Sequence, residues 1–149
     1  MTSSLVVDAS VALKWVIKEE HHDCAGTLLP LASWLTAPDI MLAECANVCR
    51  KKVKRGEMTA SQATVGLDTI WQVIPSFEPI APLSKRALGL AIDLDHHAYD
   101  CVYLALAESN GGILVTADRV LVRKIDRAGT KIGVIFIGDS SLAERLAAG

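Results

Sequence analysis

The stretch LVVDAS at residues 5–10 decides the fold, because it passes from a strand pattern to a helix pattern within a few residues. Residues 5–7 are a short apolar run typical of a buried strand, and Asp8 ends that run. Ser10 then opens an apolar stretch that continues to Val16 and predicts a helix. The carboxylate of Asp8 is therefore expected at a turn from a strand to a helix.

The same alternation of apolar runs and helical patterns continues along the sequence. Extended segments are predicted at 34–38, 73–74, 77–80, 113–115 and 134–137, and helices at 23–29, 40–53, 59–71, 84–94, 96–108, 118–126 and 140–147. Asp23 and Thr59 are the expected N-terminal caps of the helices that they open. Strands that alternate with helices build a parallel sheet covered on both faces. The sequence therefore predicts an α/β fold, a single domain over residues 1–149 with a central parallel sheet of about 4–5 strands flanked by helices.

Length and composition fit one globular domain. The chain has 149 residues, of which 51% are hydrophobic and 21% charged, so it can bury a core of its own. Its formal net charge of -2 means that any contact with nucleic acid has to be local. Four cysteines without paired spacing favour reduced thiols and a cytoplasmic location. The apolar stretch at 5–17 is interrupted by Asp8 and Lys14, so it predicts neither a signal peptide nor a membrane span.

Two carboxylates follow predicted strands. Asp8 comes directly after the first strand, and Asp118 follows residues 113–115 after a short turn. Because the carboxyl ends of parallel strands share one edge of the sheet, both side chains are expected at the rim where α/β folds place their functional crevice. Each of them could instead serve only as the N-terminal cap of the helix that follows.

Two further carboxylates lie on helical faces that are otherwise apolar. Glu44 shares its face with Ile40 and Val48. Asp100 shares its face with Leu104 in the same way. Both side chains are therefore expected to point toward the core, unless they serve only to pair with a lysine or an arginine there.

Carboxylates that converge need a cation, since two of them about 4 Å apart repel by about 4 kcal/mol at an effective dielectric constant near 20. The converging set would consist of Asp8, Glu44, Asp100 and Asp118. Its ligands are all oxygen, which suits Mg²⁺ or Mn²⁺ rather than zinc. The chemistry that such ions support with a water molecule is hydrolysis of a phosphodiester bond.

Short motifs surround the four acids, namely VVDAS at 6–10, ECAN at 44–47, AYDCVYLALA at 98–107 and VTADR at 115–119. Together they resemble the motifs of PIN-domain ribonucleases, and most closely those of the VapC-type toxins. The resemblance runs over residues 5–137. It implies a PIN-like domain and an endoribonuclease that depends on Mg²⁺ or Mn²⁺. It also implies a homodimer that a small cognate antitoxin inhibits by placing its C-terminal segment in the active-site groove.

The resemblance also assigns roles by matching position. Catalysis and metal binding fall to Asp8, Glu44, Asp100 and Asp118. Ser10 and Thr116 match small hydroxyl positions beside the first and fourth acids, where they could hydrogen-bond a carboxylate or a metal-bound water molecule. Asn47 matches a polar position that could orient Glu44. The run His96-His97 before the third acid has no counterpart in the motif, and an additional substrate contact there stays open.

Basic residues near the acids are the candidate contacts to RNA phosphate. Lys14 and Arg119 each follow a motif acid closely and could contact phosphate or balance the charge of the acidic cluster. Arg50 and Lys51 begin a basic run late in the Glu44 helix. That run also fits the usual placement of cations near the C-terminal end of a helix. The RNA target, tRNA or another structured RNA, is not specified because no base-reading pattern is visible. The high apolar content of so short a chain favours a homodimer and an antitoxin groove.

Other functions account for less of the sequence. An aspartyl phosphatase needs a second Asp two residues after the first, and Ser10 stands there. A phosphoacceptor role for Asp8 would leave Glu44 and Asp100 without a purpose. A catalytically idle PIN-like module that binds RNA or protein stays open as the alternative, although the mutual repulsion of four acids argues against an idle site.

Overall fold

Within residues 4–148, which the computed structural model describes, five strands form one parallel sheet flanked by helices. The strands are β1 (Leu5–Val7), β2 (Leu35–Pro38), β3 (Ser76–Glu78), β4 (Ile113–Thr116) and β5 (Gly133–Phe136). Their order across the sheet is β3-β2-β1-β4-β5, and each neighbouring pair is parallel. The predicted α/β fold is confirmed.

Helices connect the strands and cover the sheet. They are α1 (Ala9–Ala12), α2 (His22–Gly26), α3 (Ile40–Lys54), α4 (Ala60–Val73), α5 (Ser84–Leu94), α6 (Ala98–Asn110), α7 (Arg119–Ala128) and α8 (Leu142–Ala148). Short 3-10 helices lie at Leu13–Trp15, Leu29–Trp34 and Ala81–Leu83. In the part of the chain that the structure describes, no helix combines the length and the apolar character needed to cross a bilayer.

The core is built around β1 and α6. All three side chains of β1 are 0% exposed, and because successive side chains of a strand point to opposite faces, β1 is covered on both sides. Helix α6 contacts β1, β2 and β4, and its residues 101–107 are buried without interruption. A helix that is apolar on all sides is typical of such a central position. Asp8 and Asp100 each adjoin one of these buried segments, so both lie at the border of the core.

Helix α2 differs most from the prediction. It begins after His21, whose φ of 64° is left-handed, so Asp23 lies in the first turn rather than at the predicted cap position. The α-helix ends at Gly26 instead of continuing to residue 29. The chain goes on as a 3-10 helix with Pro30 near its start, because proline lacks the N–H group that a continuing α-helix would need.

Helix α4 begins as predicted and ends later. The Thr59 hydroxyl accepts a hydrogen bond from the Gln62 N–H at 3.1 Å, and the Gln62 side chain accepts one from the Thr59 N–H at 2.9 Å. This reciprocal pair is a capping box, which confirms Thr59 as the cap. Val73, predicted to be extended, is the last residue of α4. The backbone becomes extended only at Ile74, since Pro75 disfavours a helical conformation in the residue before it.

The four cysteines are free thiols. Cys45, Cys49 and Cys101 are buried and Cys24 is partly exposed. Burial raises the pKa of Cys45 to about 12 and that of Cys101 to about 11. Because the thiolate is the reactive form, these two residues serve as small packing groups rather than as nucleophiles.

Candidate active site

The register of the sheet brings Asp8 and Asp118 to the same edge. β1 and β4 are neighbours, with Val7 opposite Val115, and each acid follows its strand at the carboxyl end. Both acids are also N-terminal caps, because Asp8 accepts a hydrogen bond from the Val11 N–H and Asp118 caps α7. The capping role that the sequence left open is therefore real, and it coexists with a place at the crevice.

All four predicted acids line one cavity of about 730 Å³. Asp8 and Asp118 reach it from the edge of the sheet, Glu44 from α3 and Asp100 from α6. Lys14, Ser10 and Asn47 also line it. The structure thus brings together carboxylates that are far apart in the sequence.

Asp8 is the most constrained of these carboxylates. Its Oδ1 accepts hydrogen bonds from the Ser10 hydroxyl and the Val11 N–H, and its Oδ2 accepts one from the Thr116 hydroxyl. The hydroxyls are held in turn, since Ser10 Oγ accepts from the Ala117 N–H at 3.2 Å and Thr116 Oγ1 from the Asp118 N–H at 3.0 Å. Burial raises the pKa of Asp8 to about 6, although these hydrogen bonds lower it.

Glu44 is oriented by a residue that the sequence did not single out. The Tyr103 hydroxyl donates a hydrogen bond of 2.6 Å to Glu44 Oε1, and the Tyr103 side chain is buried. Burial raises the pKa of Glu44, and the Asp100 carboxylate raises it further. The pKa of Tyr103 is also raised, by burial and by Glu44, so its hydroxyl keeps its proton. The signal for Tyr103 was its position three residues after Asp100, on the same face of α6.

Asn47 lines the same cavity as Glu44, and no hydrogen bond joins the two side chains in the part of the chain that the structure describes. Its Oδ1 accepts a hydrogen bond from Arg50 Nε at 3.3 Å, and its side chain is exposed. Glu44 instead accepts its hydrogen bond from Tyr103 of α6, and a role of Asn47 in orienting Glu44 stays a prediction.

His96 is the second site residue without an assigned role in the sequence. Its Nε2 lies 2.9 Å from Asp100 Oδ2 and 3.3 Å from Asp118 Oδ2, and its side chain is only 5% exposed. One ligand atom from each of these three residues lies within 4.8 Å of the others. Asp8 and Glu44 line the same cavity but are not part of this close group. The signal in the sequence was the spacing of four residues between His96 and Asp100, although His96 precedes the first residue of α6.

The four basic residues predicted to contact RNA phosphate lie in different places on the protein. Lys14 lines the cavity and pairs with Glu19 at 3.1 Å. The Arg119 guanidinium lies over the Phe136 ring, 4.4 Å from its centre. Arg50 borders a separate groove between α3 and α4, and Lys51 is exposed on α3. Of these four side chains, the structure places only Lys14 in the wall of the acidic cavity.

The residues of the cavity fit a hard divalent cation. Burial raises the pKa values of Asp8 and Glu44, and Asp100 adds repulsion to both. A bound cation would relieve that repulsion. Among the described residues, Asp100 Oδ1 and Glu44 Oε2 accept no hydrogen bond from the protein and are therefore free to act as ligands. Oxygen donors of this kind are typical of Mg²⁺ and Mn²⁺ sites.

Comparison with known proteins agrees with the fold. The family model described as PIN domain matches residues 5–127, and the chain belongs to the PIN-domain family. Ribonuclease VapC3 of Pyrobaculum aerophilum is 34% identical over 122 residues, which cover 80% of this chain and 93% of that protein. VapC ribonuclease Mb0985 of Mycobacterium bovis is 32% identical over 114 residues, 76% of this chain and 85% of that protein. Within its family the chain is of the VapC type.

A solved structure shares the fold over its whole length. The crystal structure of PAE2754 from Pyrobaculum aerophilum superposes with a TM-score of 0.74 and 28% identity, and the match covers 100% of both chains. The five-stranded parallel sheet with its helices is thus the architecture of a single PIN domain.

Proposed function

We propose that the protein is an endoribonuclease that hydrolyses RNA phosphodiester bonds with Mg²⁺ or Mn²⁺ and acts as the toxin of a toxin–antitoxin pair. The observation that carries the proposal is the convergence of Asp8, Glu44, Asp100 and Asp118 on one cavity. The VapC-type relatives, which are named as ribonucleases, support it.

The side chains around the cavity have distinct tasks in this proposal. Divalent ions held by the four acids would activate a water molecule and neutralise charge on the phosphate. Ser10 and Thr116 hold Asp8 in one orientation, and Tyr103 does so for Glu44. Lys14, whose side chain is 9% exposed, places an ammonium group at the wall, where it can contact the phosphate.

The test is cleavage of structured RNA, tRNA included, by the purified protein. We expect cleavage with Mn²⁺ or Mg²⁺, no cleavage with EDTA, and a loss of at least about a hundredfold in Asp8→Asn and Asp100→Asn. Asp68→Asn is the matched control, because Asp68 is exposed on α4 and does not line the cavity. Cleavage in EDTA, or full activity of both site variants, would contradict the proposal. Metal binding without cleavage of any RNA would favour the idle binding module.

The same proposal includes partners and a compartment. Exposed apolar side chains on α4 and α5, such as Val65, Leu88 and Ile92, are surface that a second copy or an antitoxin would cover. The free cysteines agree with a reducing cytoplasm. Light scattering across concentrations tests the homodimer, and a monomer at every concentration would exclude it.

A further inference from the structure

His96 is held in place by the end of helix α5. Asp95 adopts a left-handed conformation with φ of 50°, which ends the helix, and the His96 N–H then donates to the Ala91 carbonyl at 3.1 Å. The turn directs the imidazole inward between Asp100 and Asp118, where its side chain is 5% exposed. A ring that is buried and fixed beside the acidic carboxylates is better placed to hold them in position than to contact a substrate in solvent.

Lys124 of α7 decides which ring nitrogen of His96 carries the proton. Its ammonium group donates a hydrogen bond to the Asp95 carbonyl and lies 3.3 Å from His96 Nδ1. An ammonium group has donors and no acceptor, so Nδ1 has to be the acceptor in this contact. The proton of the neutral ring is therefore on Nε2, which faces Asp100 Oδ2 and Asp118 Oδ2.

The position of this proton distinguishes two roles that the distances alone would allow for His96, a metal ligand and a hydrogen-bond donor. A metal ligand would need the lone pair of Nε2, and the proton would then sit on Nδ1 and face the Lys124 ammonium group. A hydrogen-bond donor needs the proton on Nε2, which agrees with the contact to Lys124. The groups near the ring also include the Asp95 carbonyl, bound by Lys124, and the His97 ring, whose centre lies 5.8 Å away.

We infer that His96 is a positioning residue whose Nε2–H clamps the Asp100 and Asp118 carboxylates, with Lys124 fixing its tautomer, and that it is not itself a metal ligand. The clamp leaves Asp100 Oδ1 without a hydrogen bond from the described residues, while Asp118 Oδ1 accepts hydrogen bonds from the Val120 and Leu121 N–H groups of α7. The inference rests on the proposed metal-dependent function, and it adds His96 and Lys124 to the machinery.

The first test reads the tautomer directly in the metal-free protein. Nitrogen-15 NMR of the histidine side chains at pH 8 should show His96 protonated on Nε2 and not on Nδ1. Lys124→Arg keeps a cationic donor and should preserve this tautomer, whereas Lys124→Met should not hold it. A proton on Nδ1 in the unmodified protein would overturn the inference, whether or not the protein cleaves RNA.

The second test measures Mn²⁺ binding without RNA. His96→Leu should weaken Mn²⁺ affinity about tenfold, as removal of a group that orients a ligand does. His96→Gln, which retains an N–H donor, should restore affinity to within about threefold of the original. His22→Leu is the matched control, because His22 lies on α2 and does not line the acidic cavity, and it should leave affinity unchanged. Pulsed EPR of bound Mn²⁺ should show no coupling to a histidine nitrogen, and such a coupling would overturn the inference.

Discussion

Asp8 caps helix α1 and also lines the cavity, and its buried environment raises the free energy needed to ionise its carboxyl group. The carboxylate is buried, with two hydroxyls and one backbone N–H on its oxygens. Desolvation outweighs these hydrogen bonds, so the pKa of Asp8 rises from its ordinary value of 3.8 to about 6. In the metal-free protein Asp8 therefore keeps its proton up to a pH of about 6, and its ionisation above that pH costs stability.

The stability of the metal-free protein should consequently fall as the pH rises from about 4 to about 6. Between these values the folded protein keeps the Asp8 proton and the unfolded chain loses it, and above about 6 this contribution is fully lost. The difference between the pKa values of Asp8 in the unfolded and the folded protein corresponds to a loss of at most about 3 kcal/mol in the free energy of unfolding. Asp8→Asn should remove this dependence and raise the free energy of unfolding in EDTA at pH 7, as measured by urea denaturation.

The control for that measurement is Asp68→Asn, an exposed substitution of the same kind, which should leave the pH profile unchanged. If Asp8→Asn instead lowers the free energy of unfolding at pH 7 in EDTA, the folded protein already compensates the Asp8 charge and the prediction is wrong.

Tyr103→Phe should weaken Mn²⁺ binding about tenfold. The Tyr103 hydroxyl lowers the pKa of Glu44 by its hydrogen bond, so its removal makes the Glu44 carboxylate harder to ionise and less fixed. The cost in stability should be about 1 kcal/mol. Calorimetric titration measures the affinity, and Asp68→Asn serves as the control because Asp68 is exposed on α4 and does not line the cavity. Equal affinities of the two variants would exclude a positioning role for Tyr103.

At the scale of elements, the cap of α4 offers a change that separates folding from function. Thr59→Ala removes half of the capping box and should lower the free energy of unfolding by about 1 kcal/mol. Neither Thr59 nor Gln62 lines the acidic cavity, so RNA cleavage should not change. Thr64→Ala is the control on the same helix, and its effect should stay within about 0.5 kcal/mol. An activity loss in Thr59→Ala would contradict this separation.

Most helices and strands could be predicted from the sequence because apolar runs and capping residues act on their immediate neighbours in the chain. The run at residues 5–7 and the cap at Thr59 gave β1 and the start of α4. The α2 boundary was missed because the left-handed conformation of His21 has no signal in the sequence. The hydrogen bond of Tyr103 to Glu44 joins residues 59 positions apart, so only the tertiary fold creates it.

For the molecule as a whole, the cavity couples cation binding to stability. A ligand that binds only the folded protein stabilises it by about 2.7 kcal/mol at a hundred times its dissociation constant. In a chain of this length that corresponds to an increase in Tm of about 5–10 °C. We expect Mn²⁺ to produce this increase and EDTA to abolish it, as measured by scanning calorimetry. An unchanged Tm in saturating Mn²⁺ would exclude a cation site in the folded protein.

Asp8 and Asp118 both cap a helix and line the acidic cavity, and these two roles together constrain how a nuclease of this kind can change once it loses its activity. A descendant released from selection for catalysis would still need residues at these two positions that start α1 and α7. Asn, Ser or Thr meets that need, so drift there should be confined to this small set. Glu44 and Asp100 start no helix and would diverge without restriction. Degenerate copies should therefore be recognisable by lost helix-face acids beside retained capping residues.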